Sequence, residues 1–304
     1  MIKIVFLFLL SVLCLQAFDV SATSQNIRSY PLPVEKTSIK ANYNVISKGL
    51  DIFSIRSGDI GGATQHGSLG DLNGFNFTLG YGLYKHTSLF YDFEYQNIDY
   101  AGESLKNKKH DIFVKLNIYH NPSAMFNTFS TDLGLVYNSA NELSISGSNL
   151  GISKMSDLSD NSFYIRLLTG SKINSSILDF YLGLKHTTIN TKLDSIKYNR
   201  NEVALNVGFQ YTLELKEFLI ETGYEYIRLF SRDIDNVKKS NNVFNLTLSR
   251  ALNQELLIFI GIKYFSNQYN GIIPYLYNEK TRNGFNQKFG YSTIGFVYSF
   301  DLER

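Results

Sequence analysis

The chain has 304 residues, with 29 Lys and Arg against 27 Asp and Glu for a formal net charge of +2, a balance that argues against a nucleic-acid binder, whose phosphate contacts show as a strong basic excess. Hydrophobic residues make up 44% without forming any long apolar run, and 21 Tyr, 23 Phe and 22 Gly against only 4 Pro favour many strands over helices. Cys14 is the only cysteine, and it lies within the leader described next, so the exported chain carries no thiol, and disulfides and cysteine-ligated metals are excluded.

The first residues read as a secretory signal peptide over 1–22. Lys3 supplies the positive region, residues 4–13 the short apolar core, and Leu15-Gln16-Ala17 or Val20-Ser21-Ala22 the cleavage site, after Ala17 or Ala22. The apolar core is too short for a membrane helix, which needs roughly 20 residues. Leu13 is too large to precede an acylated Cys14. Removing 1–22 takes away Lys3 and Asp19, leaving the charge unchanged.

Residues 23–48 read as a periplasmic segment and 49–300 as the barrel, with 301–304 a periplasmic tail. A first strand is placed near 49–57, although Ile39, Ala41, Tyr43 and Val45 also alternate, so the strand can begin near 38 and bend at Gly49. From residue 73 the alternation is regular: Phe75, Phe77, Leu79, Tyr81 and Leu83 against Asn76, Thr78, Gly80 and Gly82. Then come Leu89, Tyr91, Phe93 and Tyr95 against Phe90, Asp92, Glu94 and Gln96, and Ile112, Val114, Leu116 and Ile118 against Phe113, Lys115, Asn117 and Tyr119. Further strands are expected at 128–138, 162–172, 177–188, around 203–211, 218–229, 242–251, 256–264 and 289–300. The total is twelve.

The breaks alternate short and long. Short ones fall at 84–87, 173–176, 213–217 and 252–254, with a moderate one at 120–127; long ones fall at 58–73, 99–110, 139–161, 189–200, 230–241 and 267–288. Short turns at one rim and longer loops at the other, with an even strand number, describe a transmembrane barrel with both termini in the periplasm. If strands 88–98 and 111–119 flank a long loop, residues whose numbers sum to 209 face each other, and Glu94 meets Lys115.

The fold expected is therefore all-β: a single transmembrane antiparallel barrel of twelve strands. With the apolar parity toward lipid, Gly80, Gly82, Gly134, Gly170, Gly183, Gly208, Gly223, Gly261 and Gly295 share the lumenal parity. So do Asp92, Glu94, Asp132, Asp179, Glu221 and Glu225 and the bases Lys115, Arg166, Lys185 and Lys263. These ten are the expected pore-lining residues, and the excess of acids predicts a mild cation preference.

The end of the chain, Thr293-Ile294-Gly295-Phe296-Val297-Tyr298-Ser299-Phe300, resembles the terminal strand signal of bacterial outer-membrane β-barrel proteins. The resemblance implies residence in the outer membrane, contact with its lipids and lipopolysaccharide, and recognition of Thr293, Gly295, Tyr298 and Phe300 by the barrel assembly machinery. Family members usually end on the aromatic, whereas Asp301-Leu302-Glu303-Arg304 follows here.

Two motifs offer candidate chemistry. His66-Gly67-Ser68 resembles the catalytic His and Ser of barrel phospholipases and lipid A deacylases, but a triad needs a third group to orient the base, so His66 and Ser68 read as a solvated loop. Asp92-x-Glu94 resembles the paired acids of omptin proteases, yet the Asp-x-His pair of that family is absent. The five histidines lack metal-ligand spacing and no calcium loop occurs, so no metal or cofactor is expected. Lys106, Lys108 and Lys109 read as outer-loop charges facing lipopolysaccharide phosphates. The function expected is a porin-like channel for small hydrophilic solutes; a structural or adhesive barrel displaying its loops comes second and an outer-membrane hydrolase third.

Overall fold

The computed structural model describes residues 29–46, 69–100, 103–121, 123–147, 151–230, 239–266 and 289–301. The leader 1–22, the segment 49–57, the His66 and Ser68 motif, the interval 267–288 and residues 302–304 lie outside them. The strands are β1 (Lys36–Ile46), β2 (Leu69–Tyr84), β3 (Thr87–Tyr100), β4 (Glu103–His120), β5 (Thr128–Ala140), β6 (Leu143–Gly147), β7 (Gly151–Ile173), β8 (Ser176–Leu193), β9 (Ile196–Leu215), β10 (Phe218–Leu229), β11 (Ser240–Ala251), β12 (Leu256–Phe265) and β13 (Phe289–Asp301).

Twelve of these close into an antiparallel barrel. Each strand pairs with its neighbour in sequence, β5 pairs with β7 past the short β6, and β1 pairs with β13 from Lys36 opposite Asp301 to Val45 opposite Ser292. The extra strand β6 pairs only with the first residues of β7. Closure leaves no barrel strand with an open edge, as hydrocarbon requires. The first strand is thus Lys36–Ile46, and the alternating Ile39, Ala41, Tyr43 and Val45 form it; the boundary at 48 between a periplasmic segment and the barrel moves back accordingly.

The two rims differ from the expected division into turns and loops. At the terminal rim, where β1 starts and β13 ends, the links are 85–86, 121–127, 174–175, 216–217 and 252–255. Asn174 and Lys216 take positive φ there, 53° and 50°, as tight hairpins demand. At the distal rim the expected loops 99–110 and 189–200 are instead strand: β3 and β4 are joined by 101–102, and β8 and β9 by 194–195. The interval 139–161 is occupied by β6 and the first part of β7.

This changes the β3 to β4 register. Partners sum to 203, not 209, so Glu94 faces Lys109 while Lys115 faces Ser88 on one side and Asp132 on the other. The shift of six residues is even, so faces are kept and partners change. A bulge between Asn117 and Tyr119 also turns Tyr119 outward, against the expected inward parity.

The outer face follows the apolar parity. On β5, Leu135 is 64% exposed and its neighbour Val136 6%. Aromatic rings line this face in cross-strand rows: Phe180, Phe209, Tyr224, Phe244 and Tyr264 run from β8 to β12 with ring centroids 4.9 to 6.4 Å apart. Tyr95, Phe75, Phe93, His110 and Tyr137 continue the pattern from β2 to β5. Such rings suit the boundary between hydrocarbon and water.

Toward the distal rim the pattern inverts. On β8 the outward series Leu178, Phe180, Leu182 and Leu184 gives way to His186, Thr188, Asn190 and Lys192. The inward series changes from Asp179, Gly183 and Lys185 to Thr187, Ile189, Thr191 and Leu193, all buried. On β4, Lys108, Lys106 and Ser104 point outward and Leu105 inward; on β10, Arg228 is exposed and Ile227 and Leu229 buried. Below the boundary the barrel is apolar outside, as lipid requires; above it, apolar inside, as water requires.

Candidate functional site: the barrel interior

The interior has three levels. At the terminal end, Asp132 sits between two cations: Lys115 Nζ lies 2.7 Å from its Oδ1 and Arg166 Nη2 2.9 Å from its Oδ2. Lys115 and Asp132 are fully buried, so each charge depends on its partner. The Arg166 guanidinium also stacks 4.9 Å from the Tyr164 ring centre and 5.6 Å from that of Phe113. Asp179 accepts hydrogen bonds from the backbone N–H and hydroxyl of Ser29, at 3.1 and 2.6 Å. The short segment 29–33, ahead of β1, therefore lies within the barrel.

Inward glycines make room for rings. Gly134 lies directly opposite Tyr164, and Gly208 opposite Tyr181. A Cβ on Gly208 would meet Tyr181 Cζ at 2.6 Å, and one on Gly134 would fall within the Tyr164 ring. The lumenal parity of the glycines thus reflects rings laid across the wall.

The middle level is charged. Lys109, Asp111, Tyr164, Arg166, Lys185, Asn206 and Glu225 line a cavity of about 180 Å³. Tyr164 donates its hydroxyl to Asp111 at 3.1 Å, and the Asn206 amide donates to Glu225 at 2.7 Å. Lys109 lies 3.9 Å from Glu94, whose other oxygen accepts from Gln96. Nearer the terminal rim, Gln210 donates to Glu221 at 3.0 Å. Asp92 faces Thr78 across the β2 to β3 ladder, and Lys263 lies over the Phe265 ring, 5.3 Å from its centre.

The distal level is apolar. Leu72, Ile98, Leu105, Met155, Ile189, Leu193, Ile227 and Phe265 belong to one buried cluster of fourteen residues drawn from β2, β3, β4, β6, β7, β8, β9, β10, β11, β12 and β13. These side chains pack against one another from strands on all sides of the barrel.

All ten residues expected to line a pore therefore face the interior, but they do not form one wall. Lys115, Asp132 and Asp179 gather at the terminal level, Arg166 reaches from there into the central cavity that Lys185 and Glu225 line, and Lys263 on β12 lies within electrostatic reach of Glu225 and Glu94. Sequence reasoning missed Lys109, Asp111, Asp160 and Glu202, two of which, Lys109 and Asp160, fell in segments read as loops. Continuing the inward parity of Lys115 and Phe113 back through Asp111, Lys109, Asn107 and Leu105 finds the first two and exposes the start of the apolar cluster. At the chain end, Gly295 faces inward beneath Phe259, Thr293 accepts a hydrogen bond from Asn42 at 3.0 Å, and Tyr298 stacks on Phe300 with centroids 5.3 Å apart.

No protein-family model and no curated protein matches the chain. Among solved structures, the translocator domain of autotransporter NalP from Neisseria meningitidis is similar over 88% of this chain and 90% of its own, at 11% identity and a TM-score of 0.52. The β domain of the Bordetella autotransporter BrkA is similar over 88% of this chain and 100% of its own, also at 11% identity and 0.52. The NanC porin covers 86% of this chain and 98% of its own length at 10% identity, with a TM-score of 0.48. The closed twelve-stranded antiparallel barrel is a fold of bacterial outer-membrane proteins.

Proposed function

We propose that this chain resides in the outer membrane as a closed barrel, its terminal rim in the periplasm, and that it presents the distal strand extensions at the cell surface. The observation that carries this reading is the cluster of fourteen buried apolar side chains, drawn from eleven strands, that packs together at the distal end of the lumen among the described residues. The outward Thr188, Asn190 and Lys192 fit strands that rise clear of the bilayer. Lys106 and Lys108, exposed above the outward Ile112 and His110, stand where lipopolysaccharide phosphates lie. Thr293, Gly295, Tyr298 and Phe300 would serve the barrel assembly machinery.

The test is electrical. Purified barrel in planar bilayers is expected to show no steady conductance, with surface exposure of the β8 to β9 hairpin confirmed by protease or antibody access to intact cells. Steady conductance of the parent chain would reject the closed reading in favour of a channel for small hydrophilic solutes. That second reading draws on the charged central cavity, whose Lys109, Lys185, Asp111 and Glu225 offer both signs to a polar solute.

A further inference from the structure

Residues 29–33 do not run along the barrel rim. They enter the lumen and are received by six strands, β2, β3, β4, β5, β7 and β8. Ser29 is bound through its N–H and hydroxyl to Asp179 of β8, and its carbonyl accepts from the hydroxyls of Thr128, at 3.3 Å, and Ser130, both on β5. Leu32 donates its N–H to the Ser88 hydroxyl of β3 at 2.8 Å. Its side chain, 4% exposed, packs with Phe90, Phe113, Val136 and Tyr164.

The wall is shaped for this segment. A Cβ on Gly80 would come within 2.9 Å of Leu32 Cδ1, one on Gly82 would overlap the Pro33 carbonyl, and one on Gly170 would strike the Ser29 hydroxyl. Three wall positions lack side chains where the segment passes. All these contacts lie near the terminal turns, beside Lys115 and Asp132, which have no exposed surface. After Pro33 the chain reverses at Glu35, whose φ is 64°, with Lys36 N–H donating to the Pro33 carbonyl at 3.2 Å. The segment is thus hinged to β1 but takes no rung of the barrel ladder.

We propose that residues 29–33 are a stopper for the periplasmic mouth, seated by Asp179, Ser88 and the Leu32 pocket, and that its release admits water to the Lys115, Asp132 and Arg166 cluster while the barrel stays closed. The inference rests on the barrel's orientation in the outer membrane but not on the absence of conductance, because the distal cluster is a separate barrier.

Cysteine labelling tests it. In a Cys14→Ser background, Ser130→Cys places a single thiol beneath Ser29, and its modification by a membrane-impermeant maleimide reports whether the mouth is covered. With the native segment the thiol should be protected; adding Leu32→Asp should raise the labelling rate about tenfold or more, since protection follows the population of the open form. Leu32→Met should remain protected. Gly82→Val, which evicts Pro33 from the wall side, should match Leu32→Asp, and a heat-dependent shift in electrophoretic mobility shows that each barrel is folded. Equal labelling of the parent and both disrupting variants, fast or slow, would overturn the stopper, whatever the conductance measurements give.

Discussion

Asp132 carries two ion pairs and has no exposed surface. Converting it to Asn leaves Lys115 buried without its carboxylate, and removing one member of a buried pair costs about 3–5 kcal/mol. Asp132→Asn should therefore lower the urea midpoint of the folded barrel sharply, whereas Lys115→Met with Asp132→Leu should recover part of the loss, because the fully buried Lys115 charge is then gone and only Arg166, 20% exposed, is left without its carboxylate. A double variant as unstable as the single would mean that the charges are not coupled. Glu94 is a different case: its ion pair with Lys109 spans 3.9 Å and the lysine is 36% exposed. Glu94→Gln should cost less than about 1 kcal/mol. The two carboxylates share a parity in the sequence, and only the three-dimensional register separates a structural charge from a solvated one.

Strands here carry two patterns in succession, and the change of phase explains what sequence could and could not reveal. The lower halves were legible because Leu89, Tyr91, Phe93 and Tyr95 repeat against polar neighbours. Beyond them Asn97 and Asp99 point outward and Ile98 inward, a weak alternation that reads as a polar loop if lipid is assumed on the outside. The β3 to β4 hairpin was consequently lengthened and its register displaced by six. The inversion makes a sharp prediction for neighbouring residues of β8. Ile189→Lys puts a charge into the distal cluster and should cost more than about 3 kcal/mol, while Thr188→Lys should stay within about 0.5 kcal/mol. Comparable losses at both positions would place this stretch in lipid. Within the apolar band the order reverses: Ile260→Lys, on the outer face near its middle, should cost about 2–4 kcal/mol. Turns belong to this scale as well. Lys216 holds a left-handed conformation that Asn tolerates better, so Lys216→Asn should stabilise the barrel by about 0.5 kcal/mol in denaturant titration.

For the whole molecule, the two barriers are in series. On the reading proposed above, segment 29–33 covers the periplasmic mouth, the fourteen-residue cluster blocks the distal end, and the charged cavity lies between them. Ions crossing the barrel must pass both, so relieving either alone leaves the other as the limiting barrier. Leu32→Asp by itself should give no steady conductance, nor should Leu105→Asn with Ile189→Asn, provided the barrels still shift in mobility on heating. Combining all three substitutions should give channel openings in planar bilayers. Their selectivity should then respond to Glu225→Lys by moving toward anions, most strongly at low ionic strength, where the cavity charges are least screened. Openings from Leu32→Asp alone would show that the distal cluster does not seal, and would make the periplasmic segment the only barrier to a channel. Silence from the triple variant, with its fold intact, would mean that the charged middle level is itself closed by its hydrogen bonds, and that the barrel has no route for solutes at any level.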